Sequence, residues 1–259
     1  MKEIFKLNFN LTKETLYAVL AGLLAIGLSL IMKTKIVENS TLAILIVRDV
    51  LMIVGIGVVF VLNRINRSQF KEYGLTFDKG LRDFIINIVL AVLLAFVMIS
   101  GLKQAGKEFV ELNSYTFSRA LYIILAGIFE AMFFYTYQRV VFEKSFGKIP
   151  SIVLVSLFYS FHHAGFQPEF LKLFFVGISF VLVVSITKSI WSIFPFYWSV
   201  GALLDVLVQS DVVSPIPIPF IRSITIITLM ITAFTIYIIK NKKGSSLIEL
   251  DSAKSKKTA

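Results

Sequence analysis

The chain of 259 residues contains no cysteine and only two histidines, and only 16% of its residues are charged. Without cysteine, disulfide bonds and metal sites built from thiolates are excluded. The small share of charged residues accompanies an excess of apolar residues, which make up 57% of the chain and raise its mean hydropathy to +0.83. A soluble domain usually contains about 45–50% apolar residues. The composition therefore argues against a soluble globular protein.

The apolar residues are concentrated in long runs. These runs contain about 15–22 residues, close to the roughly 20 that an α-helix needs to cross the hydrocarbon core of a bilayer. The sequence thus predicts an all-α, polytopic transmembrane helical bundle with about eight spans. The predicted spans are Leu16–Met32, Leu42–Leu62, Phe84–Ile99, Leu121–Phe142, Ile152–Phe166, Leu171–Thr187, Ile190–Leu207 and Ile221–Ile239. Pro195 predicts that the seventh span is kinked or begins late.

The segments between and after the spans predict one membrane domain with a polar tail. Residues 1–240 are expected to form a single integral membrane domain, and residues 241–259 a mobile, basic cytoplasmic tail. The linker Asn63–Asp83 is predicted to be an amphipathic interfacial segment with a turn at Tyr73-Gly74-Leu75. Three prolines predict an extended chain at Val208–Phe220.

The distribution of basic residues predicts the orientation. The net charge is +10, but the lysines and arginines lie beside apolar runs and form no separate basic domain that would bind nucleic acid. With both termini in the cytoplasm, 18 of the 26 basic residues fall on the cytoplasmic side. This bias follows the positive-inside rule and favours an even number of spans. We expect a multi-pass integral membrane protein, and we interpret the membrane as that of a prokaryotic cell.

Some ionisable side chains fall inside the predicted spans, where each costs a few kcal/mol and marks a functional site by default. They are Arg48, Asp49, Glu130, His162, His163 and Asp205. The adjacent Arg48 and Asp49 favour a structural interpretation, because arginine near a span end can extend its charge to the interface. Asp205 is equally compatible with a site residue and an interfacial cap. Arg119 is predicted to mark a membrane boundary, and Trp191 and Trp198 to have interfacial or packing roles.

Glu130 and His162 are predicted to form the centre of a site. No residue one helical turn from Glu130 can pair with it, so it must find a partner on another helix, be protonated or hold a water molecule. Their expected depths are roughly 13 and 18 Å from the cytoplasmic boundary. A modest tilt or offset of the helices would bring the two side chains to the same depth. A water molecule held between them would lose its proton to the carboxylate. His163 points about 100° away from His162 on a continuous helix, so the two imidazoles are not expected to face one centre.

Three stretches of this sequence together resemble the CPBP family, the CAAX proteases and bacteriocin-processing intramembrane proteases, also called the Abi family. They are Gly127-Ile128-Phe129-Glu130-Ala131-Met132-Phe133-Phe134-Tyr135, Phe146-Gly147-Lys148 and Ser156-Leu157-Phe158-Tyr159-Ser160-Phe161-His162. The family motifs are Glu-Glu-x-x-x-Arg, then Phe-x-x-x-His, then His-x-x-x-Asn or Asp. The resemblance is clearest over residues 120–207, the expected protease-like core.

The resemblance implies catalytic roles for Glu130, His162 and Asp205. In the family the first glutamate activates water, and Phe158 with His162 matches the second motif. This chain departs from the pattern in that Ala131 replaces the second glutamate, Tyr135 the arginine and Gly201 the third-motif histidine. His163, Tyr135 and Phe158 are considered as accessory residues.

The resemblance implies an intramembrane endopeptidase that cleaves a prenylated or membrane-embedded peptide. Two other interpretations stay open: a catalytically silent relative acting as a membrane scaffold or immunity protein, and a proton- or ion-coupled transporter. No cofactor is predicted. A divalent metal such as zinc remains an alternative, since Glu130, His162 and either His163 or Asp205 are ligand types, although no HExxH motif occurs. The expected partners are membrane lipids and a peptide or lipidated-protein substrate, without nucleic acid.

Overall fold

A computed structural model describes residues 7–31, 34, 46, 50, 67–106, 108, 109, 113–163 and 169–208. The predicted span Leu42–Leu62, apart from two positions, lies outside these residues, as do Arg48 and Asp49, the linker after Val208, the span Ile221–Ile239 and the tail. Asp205 and Arg119 belong to described helices, but their side chains are outside the described part of the structure.

The described residues form helices and contain no strand. The helices are α1 (Lys13–Ile31), α2 (Arg67–Glu72), α3 (Gly80–Gln104), α4 (Ser114–Glu130), α5 (Arg139–Phe146), α6 (Lys148–His162), α7 (Phe170–Thr187) and α8 (Phe196–Val208). A π-helical segment, Ala131–Gln138, connects α4 to α5, and a single 3-10 turn, Ile190–Ser192, precedes α8. The all-helical architecture agrees with the prediction.

Three of the described helices, α1, α3 and α7, are long and apolar enough to cross a membrane. Most of their surface is exposed in the isolated chain, and in α3 only 11% of the apolar stretch is buried. An apolar helix whose side chains remain outside the protein core is suited to contact lipid. The count of eight spans and the cytoplasmic location of both termini stay predictions.

Local signals fix where the central helices begin and end. Asn113 caps α4, because its side-chain oxygen accepts a hydrogen bond of 2.9 Å from the backbone N–H of Thr116. The helical backbone then continues through the π segment to Gly147, so it is longer than the predicted span Leu121–Phe142. α8 begins at Phe196, immediately after Pro195, in agreement with the late start predicted for the seventh span.

The helix α6 lies at the centre of the described region. It packs against α1, α5 and α7, whereas α8 packs against α3 and α4. The buried face of α1 consists of small residues at helical spacing: Thr15, Ala18, Gly22, Ala25 and Ser29. Small side chains allow two helix backbones to approach closely. The N-terminal helix can therefore reach the residues of α6 directly.

The predicted interfacial linker contains α2 and a turn that is buried against another loop. Tyr73 and Leu75 are buried on either side of Gly74. The backbone N–H of Ile190 donates to the Gly74 carbonyl at 3.0 Å, and the indole N–H of Trp191 donates to the Leu75 carbonyl at 3.3 Å. Burial raises the pKa of the Tyr73 phenol above its usual value. The turn thus holds the connection between α7 and α8.

We predict that Gly74→Ala destabilises the protein more than Gly106→Ala does. Both glycines have a positive φ, 75° and 67°, which costs an L-residue about 1–2 kcal/mol. Only at Gly74 would the added methyl meet a neighbour, the Lys188 carbonyl oxygen at 2.9 Å; Gly106 faces open space. The thermal unfolding midpoint in detergent should therefore fall further in Gly74→Ala. Equal losses in the two variants would contradict the packing of this turn.

Candidate active site

Glu130 is buried at the end of α4, and its two carboxylate oxygens have different partners. Oε2 accepts a hydrogen bond of 2.9 Å from the indole N–H of Trp198 on α8. Oε1 lies 3.9 Å from Nε2 of His162 and 3.6 Å from Nε2 of His163. The carboxylate therefore joins α4 to both α6 and α8.

Both histidines face Glu130, so the expectation that they would not face one centre is wrong. The helix α6 ends at His162, and His163 follows it with φ −78° and ψ 32°. The angle of about 100° gives the directions in which the two side chains leave the backbone, and the rings of both residues still reach Oε1 of Glu130 from the end of α6. The two rings lie with their centroids 5.4 Å apart. His163, considered above only as an accessory residue, contacts the carboxylate at least as closely as His162 does.

Each imidazole is held on its far side by a second contact. Nδ1 of His162 lies 2.8 Å from the hydroxyl oxygen of Ser29 on α1, and Nδ1 of His163 lies 3.0 Å from the carbonyl oxygen of Tyr159. A carbonyl can only accept, so Nδ1 of His163 must carry the proton. In its neutral form His163 therefore presents an unprotonated Nε2 to Glu130. Such a nitrogen can take a proton from water.

Aromatic rings from the central helices surround the two histidines. Phe129 and Phe134 lie with their ring centroids 5.2 and 5.4 Å from His162, and Tyr159 lies 4.6 Å from His163. Apolar walls lower the local dielectric and strengthen each charge interaction within the site. The π-helical segment begins directly after Glu130, and such segments often occur at functional sites.

Trp198 is a site residue that the sequence interpretation missed, because it was assigned an interfacial or packing role. A signal for it exists at Gly127, one helical turn before Glu130. A Cβ atom at Gly127 would come within 2.1 Å of the Trp198 ring. The glycine thus leaves the space that the indole occupies when its N–H reaches the carboxylate.

The positions at which the chain departs from the family pattern are filled differently. Ala131 is buried, and Tyr135 is buried with its ring centroid 5.6 Å from that of Tyr159 and 5.5 Å from that of Phe180. A Cβ atom at Gly201 would meet nothing within 4 Å. A second acid and a guanidinium are thus replaced by packed apolar and aromatic groups, and the histidine of the third motif is missing.

The remaining predicted residues lie in different surroundings. Phe158 packs with its ring centroid 5.8 Å from that of Phe142, against Gly22 of α1, so it supports the helix packing rather than the carboxylate. The role of Asp205 stays a prediction. Within the part of the chain that the structure describes, no group of three or more histidine, aspartate or glutamate residues is arranged to hold a metal ion.

The three apolar helices and the buried acid–imidazole cluster are features of an integral membrane protein with a polar centre. Residues 113–203, about a third of the chain, match the sequence model of the family described as type II CAAX prenyl endopeptidase Rce1-like. This segment contains Glu130, His162, His163 and Trp198. The match over this segment confirms the resemblance to CAAX proteases that was drawn from the sequence, and the long apolar helices indicate an integral membrane protein. No curated protein and no solved structure matches significantly.

We predict that Gly127→Ala disrupts the contact between Trp198 and Glu130. The added methyl would overlap the indole ring, and overpacking of a tightly packed site costs about 1–3 kcal/mol. The midpoint of thermal unfolding should fall by several degrees. Gly27→Ala is the matched control, because Gly27 lies in α1 and a methyl there meets nothing within 4 Å. A Gly127→Ala variant as stable as the control would contradict this geometry.

Proposed function

We propose that the protein is an intramembrane endopeptidase of the CAAX-protease type in which Glu130 activates a water molecule for peptide hydrolysis. The observation that carries this proposal is the convergence of one buried carboxylate oxygen and two imidazole Nε2 atoms, at 3.9 and 3.6 Å, within the segment that matches the family. A general base must lie within hydrogen-bond reach of the proton that it removes, directly or through one water. A water molecule bound beside Glu130 Oε1 would satisfy this requirement.

The reaction proceeds by direct attack of water on the scissile carbonyl carbon. Glu130 takes one proton from the water while the oxygen of the water forms the new C–O bond. This step produces a tetrahedral oxyanion. The same proton then passes to the amide nitrogen of the leaving group, the C–N bond breaks, and a carboxylic acid and an amine are released. The acid then gives its proton to the amine, which leaves a carboxylate and an ammonium ion. No covalent enzyme intermediate is required, which suits a site that has no cysteine nucleophile.

The two imidazoles have complementary roles in this proposal. His162 and His163 hold the attacking water beside Glu130, and either ring, when protonated, stabilises the negative charge of the oxyanion. The second imidazole supplied by His163 compensates for the histidine that Gly201 replaces. Trp198 donates to Oε2 of Glu130, so that Oε1 is left to receive the proton. Asp205 is proposed to assist from α8 by orienting the substrate backbone or an imidazole.

The proposed substrate is a prenylated or membrane-embedded peptide that approaches between helices. Two observations support this class. The family model describes prenyl endopeptidases of CAAX sequences, and the candidate site lies inside a bundle whose outer helices are suited to lipid. A lipid-attached peptide tail can reach such a site within the plane of the membrane, without crossing water.

The residues at the three positions where the chain differs from the family motifs favour a second function. Ala131 and Tyr135 are packed in the core where the family has an acid and an arginine, and Gly201 has no side chain. A catalytically silent relative that binds a membrane partner would retain the fold with these losses. Such a protein would keep its partner when Glu130 is neutralised and would not hydrolyse peptides.

We predict that Glu130→Gln lowers peptide cleavage by at least about a hundredfold, since general bases contribute about 10²- to 10⁴-fold. Glutamine can still accept from Trp198 but cannot take a proton from water. The assay uses the purified protein in liposomes with a farnesylated CAAX peptide and the same peptide without the lipid. Glu169→Gln is the control, because Glu169 is exposed and pairs with Lys172 at 3.1 Å.

Three results are distinguishable in this assay. Cleavage by the wild type and by Glu169→Gln, with loss in Glu130→Gln, supports the endopeptidase. Undiminished cleavage in Glu130→Gln rules out Glu130 as the base. No cleavage by the wild type, combined with a membrane partner that is retained by Glu130→Gln, supports the silent relative.

We predict that His162→Ala and His163→Ala each reduce the rate of cleavage by about tenfold or more, and that the double variant is little worse than the poorer single variant. Residues that act as one unit give strongly non-additive losses. The rate constants of the three variants show whether the losses are non-additive, and their unfolding midpoints show whether the variants remain folded. A His163→Ala variant with the full wild-type rate would contradict a shared role for the two rings.

A further inference from the structure

The N-terminal helix α1, which precedes the segment that matches the family, contributes directly to the candidate site. Its buried face of small residues ends in Ala25 and Ser29, one helical turn apart. The Ser29 hydroxyl lies 2.9 Å from the Ala25 carbonyl oxygen and 2.8 Å from Nδ1 of His162. One edge of this imidazole is thus fixed by a hydroxyl of α1.

These contacts favour one tautomer of His162. A hydroxyl has a single proton, and in Ser29 this proton is directed to the Ala25 carbonyl, as is common for serines that hydrogen-bond to the residue four positions earlier in a helix. The oxygen of Ser29 then accepts from His162, so Nδ1 of the ring carries the hydrogen. In the reverse arrangement Ser29 would donate its single proton to an unprotonated Nδ1 and lose its hydrogen bond to the Ala25 carbonyl.

We propose that Ser29 is a positioning residue that holds His162 in its Nδ1–H tautomer. His163 is held in the same tautomer by the Tyr159 carbonyl, at 3.0 Å. In their neutral forms both rings then turn an unprotonated Nε2 toward Oε1 of Glu130, so that three acceptors face one another. A direct hydrogen bond between neutral His162 and ionised Glu130 is thereby prevented. A water molecule, which has two protons to donate, is the group that satisfies this arrangement.

The consequence for activity rests on the proposed function, but the tautomer does not. If His162 could protonate at Nε2, it would donate to Glu130 and occupy the oxygen that has to receive the proton of the water. Outer partners that fix the ring orientation and tautomer of functional histidines typically change activity by about 10- to 100-fold when removed. The loss of the Ser29 hydroxyl should act in the same way.

The experiment is ¹⁵N NMR of the full-length protein in lipid nanodiscs with ring-labelled histidine. The chain contains only two histidines, so every ring-nitrogen signal belongs to His162 or His163, and a His163→Gln variant assigns them. In the wild type at neutral ring charge, we expect protonated Nδ1 and unprotonated Nε2 in both residues. In Ser29→Ala, only the His162 signals should move toward the Nε2–H tautomer.

Two variants separate this effect from a general loss of packing. Ser29→Thr keeps the hydroxyl and should retain the wild-type spectrum. Ser156→Ala removes another buried helical serine, whose hydroxyl donates to the Ile152 carbonyl at 2.7 Å, and should leave both rings unchanged. The proposal is overturned if wild-type His162 already carries its proton on Nε2, if Ser29→Ala leaves the tautomer unchanged, or if Ser156→Ala shifts it equally.

Cleavage of the farnesylated CAAX peptide is measured on the same samples. Ser29→Ala should lower the rate by about 10- to 100-fold, and Ser29→Thr should restore it. If the wild type does not cleave, the proposed function fails, but the ring-nitrogen spectra still decide whether Ser29 sets the tautomer. A changed tautomer with an unchanged rate would show that Ser29 does not act on catalysis.

Discussion

The carboxylate of Glu130 is buried among apolar helices and has no partner in its own helix. Burying an unpaired charge is so costly that such a group must be hydrogen-bonded, paired or neutralised. Its partners come from two other elements: Trp198 from α8 and the two histidines from the end of α6. This requirement draws the three helices to one point. The arrangement of the central bundle and the chemistry of the site therefore share one physical cause.

Glycines make the close approach of these helices possible. Three large rings that surround or support the site each pack against a glycine of a neighbouring helix. A Cβ atom added at that glycine would come within 3 Å of the ring. The pairs are Trp198 with Gly127, Tyr159 with Gly177 and Phe158 with Gly22. Small residues replace the hydrophobic driving force that membrane helices lack, because they increase van der Waals contact. The glycines fix the rings, and through Tyr159 they also fix His163.

The helical architecture and the two central residues were predictable from the sequence. Long apolar runs predict helices because hydropathy reflects the thickness of the bilayer. Glu130 and His162 followed from their placement within apolar runs and from the order and spacing of the family motifs. The late start of α8 followed from Pro195, since proline restricts the residue before it.

The other site residues depend on contacts that sequence spacing does not encode. His163 was misjudged because the angle between successive helical residues gives the direction in which a side chain leaves the backbone and not the point that its ring reaches. Trp198 lies 68 positions away in the chain from Glu130, which it contacts, and Ser29 lies 133 positions away from His162. The regular spacing of small residues in α1 was a signal that this helix packs closely, although it did not indicate against which helix.

The central claim is that the carboxylate and the imidazoles hold a water molecule rather than each other. It is tested most directly by an experimental map of the protein in lipid at a resolution that resolves ordered water, about 2 Å, collected at neutral pH. We expect one water within hydrogen-bond distance of Glu130 Oε1 and of at least one imidazole Nε2. A dry site, with a direct hydrogen bond between Glu130 and a histidine and the neighbouring phenylalanines closed over it, would show that the carboxylate and the imidazoles hold each other and no water.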